Sequence, residues 1–590
     1  MRRHITFLLA ICIWLVPAGA AALAAEQYEV TVERGVAVKM RDGVMLRADI
    51  YRPKAEGRFP VLLQRTPYDK RGGVDFGPEA AARGYVVIFQ DARGRYTSEG
   101  EWYTFLHESE DGYDTVEWAA VLPYSNGKVG MFGASYVGAT QMLAAIASPP
   151  HLAGIFPVVT ASNYHDGWTY QGGAFEQWFN ESWTSGLAQD TLSQRVRRSA
   201  NAMQWVLKLP LASYPLFDVG STEGLAPYFL DWLAHPGYDD YWRRWSIEDQ
   251  HAKIRVPAYH VGGWYDIFLG GTLRNYAGSK ARGGSDAARG GQRLLVGPWY
   301  HGPFGSKVGK VDFGPEARGG GEVFDTDKLM LRWYDYLLKG VTNDSEREKP
   351  VKIFVMGLNT WREEDDWPLA RARNARYNLH SAGSANSLLG DGALSTTAPQ
   401  AELPDHFVYN PAEPVPTRGG GLCCDNDHLA SGAFDQRPTE SRGDVLVYST
   451  PAFKEDFEVT GPVSVELYAS SSAVDTDFTA KVVDVWPNGF AQNLTDGILR
   501  ARYRNSQEKP EFMNPGEVYK FTIGLWATSN VFLQGHKLRL EISSSNFPRF
   551  DRNLNTGEDP GHATRWVKAR NTIYHDREHP SALILPVVPR

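Results

Sequence analysis

Gly133-Ala134-Ser135-Tyr136-Val137-Gly138 decides how this chain is read. A short apolar run, Val129-Gly-Met-Phe132, precedes it, and a stretch of small residues, Ala139 to Ala147, follows. The first predicts a strand and the second a helix, with the serine pinned at the junction. A turn that sharp requires small neighbours, and a helix starting at once brings main-chain N–H groups beside the serine oxygen. The expectation is a hydroxyl exposed at the carboxyl edge of a sheet, with part of an oxyanion site built in. A bare Gly-x-Ser-x-x-Gly also fits an ordinary turn around a buried serine, so context and partners must decide.

Outward from that segment, the pattern is one of alternating strands and helices. Val36, Val38 and Met40, then Val44, Leu46, Ala48 and Ile50, alternate about Asp42-Gly43 and predict an antiparallel hairpin. Val61–Leu63, Tyr85–Phe89 and Ile155–Val159 are continuous apolar runs, the mark of strands buried on both faces, and the pattern resumes at Val256–Val261 and Arg293–Val296. Helical stretches such as Gly112–Val121 and Asp327–Leu338 separate or follow them, so the fold class is α/β with a mostly parallel sheet.

The strand signal lapses between 161 and 250, where seven of the 18 tryptophans fall: Trp168, Trp178, Trp183, Trp205, Trp232, Trp242 and Trp245. This reads as a helical cap over the sheet's carboxyl edge, offering an aromatic wall to a pocket. Anchoring helices to one another is the competing role for any single tryptophan. Beyond Val351, runs such as Val463–Ala469, Ala480–Val485, Tyr519–Ile523 and Lys537–Ile542 stand between Gly, Pro and Asn turns and predict a β-sandwich of jelly-roll type. The expected organisation is 1–25 signal peptide, 26–160 and 251–348 as two parts of one α/β domain, 161–250 as cap, and 349–590 as the β domain. Residues 384–420, rich in Ser, Gly and Pro, are expected as irregular loop.

At 590 residues the chain exceeds one core. A net charge of −8 without a basic block argues against a nucleic-acid partner. Arg2, Arg3 and His4, then apolar Ile5 to Val16, then Ala22-Leu-Ala24 have the form of a secretory signal cleaved near Ala24 or Ala25. The apolar run is too short to span a bilayer. The expectation is a periplasmic or secreted protein, free of the membrane after cleavage. Cleavage leaves two of the three cysteines, Cys423 and Cys424, which are adjacent. In an oxidising compartment a vicinal disulfide is favoured over two free thiols.

A serine hydroxyl attacks an acyl carbon only when a base takes its proton and a third group orients that base. In this fold class the chain order is Ser, acid, His, each at the carboxyl end of a strand. Val256–Val261 leads into Gly262-Gly-Trp-Tyr-Asp266, and Arg293–Val296 leads into Gly297-Pro-Trp-Tyr-His301-Gly302. Asp266 is therefore expected to orient His301, the general base. Asp266 also suits capping of the helix that follows it, and His301 could instead be a structural histidine. Tyr136 offers a main-chain oxyanion donor. The loop Arg65-Thr-Pro-Tyr68-Asp-Lys70 lacks a glycine run, so the Tyr68 hydroxyl is the candidate second donor. Trp168, Phe175, Trp178, Trp264 and Phe268 are the candidate pocket residues. No H-E-x-x-H, phosphate loop or dinucleotide fingerprint is present, so no metal or cofactor is expected.

Five ordered segments carry a resemblance: Arg-Thr-Pro-Tyr68-Asp-Lys, Gln90-Asp-Ala-Arg-Gly-Arg95, Gly-Ala-Ser135-Tyr-Val-Gly, Gly-Trp-Tyr-Asp266 and Gly-Pro-Trp-Tyr-His301-Gly. The set resembles the cocaine-esterase-like (CocE/NonD) hydrolases, relatives of X-Pro dipeptidyl-peptidases, glutaryl-cephalosporin acylases and α-amino acid ester hydrolases. The resemblance implies an α/β-hydrolase domain, a helical cap and a C-terminal jelly roll. It also implies Ser135, Asp266 and His301 as a triad, with Tyr68 and Tyr136 as oxyanion donors. The substrate is then a small ester or amide. Ile267, Phe268 and Leu269 beside the acid would penalise an unpaired substrate ammonium, although Glu176 or Asp166 in the cap could supply a partner for one. Esterase, X-Pro dipeptidyl-peptidase and an inert exported binding protein remain the readings, and a homo-oligomer remains open.

Overall fold

The computed structural model describes residues 27–192, 206–213, 222–319 and 325–589. The expected signal peptide at 1–25 and Trp205 lie outside the described residues. In chain order the first sheet's early strands are β1 (Val30–Lys39), β2 (Met45–Pro53), β3 (Phe59–Thr66), β4 (Val86–Asp91), β5 (Ser125–Ala134) and β6 (Leu152–Val158). A two-residue pair, β7 (Tyr170–Gln171) and β8 (Ala174–Phe175), lies in the cap. Then come β9 (Ala258–Tyr265), β10 (Gln292–Tyr300), a small hairpin β11 (Lys307–Val308) and β12 (Val311–Asp312), and finally β13 (Val351–Val355) and β14 (Thr360–Glu364). The helices are α1 (Phe76–Ala82), α2 (Glu108–Ala120), α3 (Tyr136–Ala147), α4 (Gln177–Leu192), α5 (Thr222–Leu225), α6 (Pro227–Ala234), α7 (Asp240–Arg243), α8 (Leu269–Arg282), α9 (Asp286–Gly290) and α10 (Thr326–Lys339).

The main sheet runs β1-β2-β4-β3-β5-β6-β9-β10-β13-β14 among the described residues. From β4 to β13 every neighbouring pair is parallel, and antiparallel strands close both edges. The hairpin forms where Asp42-Gly43 predicts it, with Val38 opposite Leu46. Helix α3 is buried along nearly its whole length, and its small side chains let it lie close against the strands. The seed Val129–Phe132 grows into the whole of β5, because its neighbours on both sides bury it.

The first sheet continues past the boundary expected at residue 349. Lys352 of β13 pairs with Leu295 of β10, and β14 folds back onto β13, so the α/β unit extends through Glu364. Val351, Ile353 and Phe354 of β13 are buried in the same apolar cluster as Leu294 and Val296 of β10. From Arg373–His380 onward the chain is all β, and eleven strands form its sheet among the described residues. Within 384–420, expected as irregular loop, Ala393–Ser395 and Asp405–Tyr409 are short strands paired into that sheet.

Candidate active site

Ser135 stands alone between β5 and α3 with φ 61° and ψ −126°. That is the mirror image of ordinary extended backbone, a conformation costing about 1–3 kcal/mol for a residue with a side chain. The surroundings enforce it. Ser135 N–H donates to the Val158 carbonyl (2.9 Å), while Gly138 and Ala139 N–H donate to the Ser135 carbonyl (2.8 and 3.0 Å). Gln141 latches the turn to β6, donating to the Gly133 carbonyl (3.0 Å) and accepting from Phe156 N–H (2.9 Å). Gly133 is obligatory here: a Cβ at that position would come 2.2 Å from Val137 Cγ1.

The register of the sheet brings the other two groups together. Tyr265 of β9 and Tyr300 of β10 are paired, and the next residue on each strand is Asp266 and His301. His301 Nδ1 lies 2.8 Å from Asp266 Oδ2, and His301 Nε2 lies 3.0 Å from Ser135 Oγ. With the Nδ1 proton facing the carboxylate, the Nε2 lone pair faces the serine hydroxyl. The Asp266 carboxylate is fully buried and the His301 ring is 11% accessible. Asp266 Oδ1 accepts Phe268 N–H at 2.6 Å, and the capping position of α8 is Phe268, not Asp266. One oxygen therefore shapes the turn before α8 while the other meets the imidazole, and the expected helix-capping role falls away because α8 begins later than the sequence suggests.

Tyr68 follows β3. Its N–H donates to Thr66 Oγ1 (3.0 Å), and Asp69 takes a positive φ of 84° to turn the chain. The segment Gln90–Arg95 holds this loop from below. Asp91 accepts Lys70 N–H (2.7 Å) and the Lys70 ammonium (3.2 Å), and buried Arg95 donates to the carbonyls of Pro67 (2.9 Å) and of Leu187 in α4 (3.0 Å). Tyr68 is 40% exposed, while its hydroxyl oxygen accepts Trp183 Nε1–H at 2.9 Å and lies within electrostatic reach of Ser135. Burial pushes that hydroxyl up to about 12, against the downward pull of Trp183, Ser135 and Arg95. It is a neutral donor under ordinary conditions.

The Tyr136 phenol is locked beneath the site, accepting Phe105 N–H (2.8 Å) and donating to Glu108 Oε1 (3.2 Å). Its main-chain N–H is the first of α3 and has no acceptor within the helix. An oxygen developing negative charge beside Ser135 can therefore meet one main-chain and one phenolic donor.

Of the five candidate pocket residues, two border this site. Phe268 sets its edge against the His301 ring (centroids 5.0 Å), and Trp168 stacks on Phe268 at 4.3 Å. The other three lie elsewhere. Trp264 donates from Nε1 to the Phe354 carbonyl (2.7 Å) and packs on Trp367, because its place on β9 turns it toward the β13 side. Phe175 and Trp178 lie in the seam with the β domain. Phe175 N–H reaches Asp551 Oδ1 (2.7 Å), and Trp178 N–H reaches the Pro548 carbonyl (3.0 Å). Trp183, which bonds Tyr68, was within the aromatic stretch but not singled out. Phe179, Trp183 and Leu187 recur every fourth residue, and that spacing places them on one buried face of α4.

Among the described residues, no group of three or more His, Cys, Asp or Glu is arranged to hold a metal ion. The strained serine on a mixed sheet, followed by an all-β C-terminal domain, defines a hydrolase of the α/β type. Residues 42–303 match the X-Pro dipeptidyl-peptidase (S15 family) model, and residues 343–584 match the X-Pro dipeptidyl-peptidase C-terminal non-catalytic domain. The chain is 38% identical to a cocaine esterase of Rhodococcus sp. (strain MB1 Bresler), covering 95% of this chain and 99% of that one. Among solved structures it resembles an aminopeptidase from a marine-sediment Thaumarchaeota archaeon (26% identity, TM-score 0.82, 98% and 99% covered). It also resembles an α-amino acid ester hydrolase (26% identity, TM-score 0.80, 98% and 100% covered). The chain belongs to the cocaine-esterase-like (CocE/NonD) hydrolases of the S15 group.

Proposed function

We propose that this chain is an exported serine hydrolase that cleaves an ester, or the amide of an acylated amine, through an acyl-enzyme. The observation that carries this reading is the continuous chain Asp266–His301–Ser135, with contacts of 2.8 and 3.0 Å at the ends of three parallel strands. His301 Nε2 takes the Ser135 proton as Oγ bonds to the acyl carbon, and Asp266 holds the imidazolium that forms. The carbonyl oxygen becomes an oxyanion met by Tyr136 N–H and Tyr68 O–H. Collapse expels the alcohol or amine, which takes its proton from His301. A water then attacks the Ser135 ester, passing its proton to His301, and the acid leaves with Ser135 restored.

Ester cleavage is preferred over removal of an N-terminal dipeptide for two reasons. The relative with 38% identity is named an esterase. The residues after Asp266, Ile267-Phe268-Leu269, are buried and apolar and offer nothing to a substrate ammonium. Export rests on the form of residues 1–25. Turnover of p-nitrophenyl esters beside X-Pro and glutaryl anilides is the deciding panel. Ester turnover at least ten times that of X-Pro anilides is expected, and the reverse order would favour the peptidase. Loss of the signal on fractionation, with mature protein in the periplasm or medium, checks export; retention in the cytoplasm contradicts it.

A further inference from the structure

The loop Gly419-Gly-Gly421-Leu-Cys-Cys-Asp425 comes from the β domain yet lies against the turn that carries Asp266. Cys423 and Cys424 are joined as a disulfide. Cys423 is buried in the same apolar cluster as Ile267, Phe268 and Trp168, whereas Cys424 is exposed. The backbone passes so close to the acid's turn that a Cβ on Gly421 would sit 3.3 Å from the Asp266 carbonyl oxygen and from Ile267 Cα. Leu422 packs with Trp178 and Val206 of the cap and Phe547 of the β domain. The loop is closed at its neck, where Gly420 and Gly432 exchange both main-chain hydrogen bonds (2.7 and 2.9 Å). Just beyond the neck, the Ala433 carbonyl accepts Lys310 N–H (2.7 Å), downstream of His301. Asn493 Nδ2 donates to the Gly432 carbonyl (3.2 Å), and the Asn493 carbonyl accepts the Tyr265 hydroxyl (2.8 Å). Cap, α/β unit and β domain thus meet at this loop, next to the Phe268 ring that abuts His301.

We propose that the Cys423–Cys424 disulfide is a redox-sensitive positioning device for the substrate's acyl group. Closed, it ties Cys423 to the peptide unit that follows, and so holds Cys423 in the cluster of Ile267 and Phe268 while Leu422 stays packed with Trp178 and Phe547. Opened, the same residues regain main-chain freedom, and the wall behind Phe268 loosens. Asp266 is held by its own contacts to the Gly263 carbonyl, Phe268 N–H and His301 in either state, so the three groups stay in place and the effect falls on acyl-group recognition. Cys424, the exposed residue of the pair, admits the reductant. A trialkylphosphine attacks it, the S–S bond breaks, and water yields the phosphine oxide and two thiols. The proposal rests on Ser135 as the acyl acceptor.

The test uses the mature enzyme before and after treatment with tris(2-carboxyethyl)phosphine. Iodoacetamide and peptide mapping confirm that Cys423 and Cys424 are both thiols in the treated sample. kcat/KM is measured for p-nitrophenyl acetate and p-nitrophenyl benzoate. Losing a packed wall contact is worth about 10-fold. The benzoate-to-acetate ratio should therefore fall about 10-fold on reduction, chiefly through the KM for benzoate, and return on reoxidation with diamide. A Cys423→Ala, Cys424→Ala double variant should show the reduced enzyme's ratio. An unchanged ratio in enzyme whose two thiols have been mapped overturns the proposal. Fluorophosphonate labelling of the oxidised enzyme separates the two claims. Its absence sinks the acyl-transfer reading and this proposal with it, while labelled enzyme with unchanged selectivity removes only the disulfide's role.

Discussion

Replacing Tyr68 by Phe isolates the less usual half of the oxyanion site. The Trp183 indole donates to the Tyr68 oxygen, so the phenolic proton is not spent on Trp183 and can turn from Ser135 toward charge at the substrate oxygen. Burial holds that hydroxyl up to about 12, so it carries its proton throughout the working range and is lost as a donor only as pH rises through that value. Removing one such donor costs about 2.7–4 kcal/mol of transition-state stabilisation, or about 10²–10³ in kcat. KM should move by less than about 3-fold, because the ground-state carbonyl does not yet carry the charge these donors meet. The Trp183 N–H is left without its acceptor, which costs about 1–3 kcal/mol of stability. Steady-state kinetics on a p-nitrophenyl ester and a urea melt read both effects. Trp183→Phe is the control. It keeps the phenol and removes the hydrogen bond to it together with part of the stacking on Tyr136, Phe179 and Trp232, and the hydrogen bond alone accounts for a loss of about 2–12-fold. If Tyr68→Phe keeps kcat within about 5-fold of the parent while folding normally, Tyr68 has no part in charge stabilisation.

Three further outcomes follow from named contacts. Ser135→Gly should be inactive yet as stable as the parent or more stable by up to about 2 kcal/mol in a urea melt, since glycine adopts the mirror-image backbone of residue 135 without the strain of about 1–3 kcal/mol but loses about 0.5–1 kcal/mol in chain entropy; a clear loss of stability contradicts the strain. Asp266→Asn should lose about 10⁴ in kcat with the fold retained, because an amide favours the wrong imidazole tautomer; a loss under about 10-fold removes Asp266 from the chemistry. In the β domain, burial alone would lower His575, but Asp405 and Glu402, at 2.9 and 3.3 Å, outweigh it and leave the histidine raised from its ordinary 6.5. That stabilisation is complete below 6.5 and fades as pH rises through the folded-state value. His575→Gln should therefore lower the urea midpoint more at pH 6 than at pH 9, and equal losses at both would contradict the charged pair.

Much of this was legible in the sequence, for a physical reason. A strand buried on both faces must be apolar throughout, so Tyr85–Phe89 and Val129–Phe132 announce themselves. Asp266 and His301 were findable because each stands just past such a run, after Gly-Gly-Trp-Tyr and Gly-Pro-Trp-Tyr. The strands Val351–Val355 and Thr360–Glu364 pair onto the edge of the first sheet although the C-terminal domain match begins at 343, and a short run in sequence does not say which sheet it joins. The aromatic stretch showed that a wall exists but not which rings face it: Phe268 meets His301 while Trp264, four residues earlier, turns to Phe354. Trp183 was hidden for want of its partner, because nothing local ties a helix in the cap to a tyrosine more than a hundred residues earlier.

The central claim is that the Ser135 hydroxyl is the atom that takes the acyl group. Intact-mass and peptide mapping after brief treatment with a fluorophosphonate tests it most directly. One adduct per chain, on the peptide spanning Gly133–Gly138 and abolished in Ser135→Ala, is the expected result. An unmodified chain, or an adduct on another residue, contradicts the account.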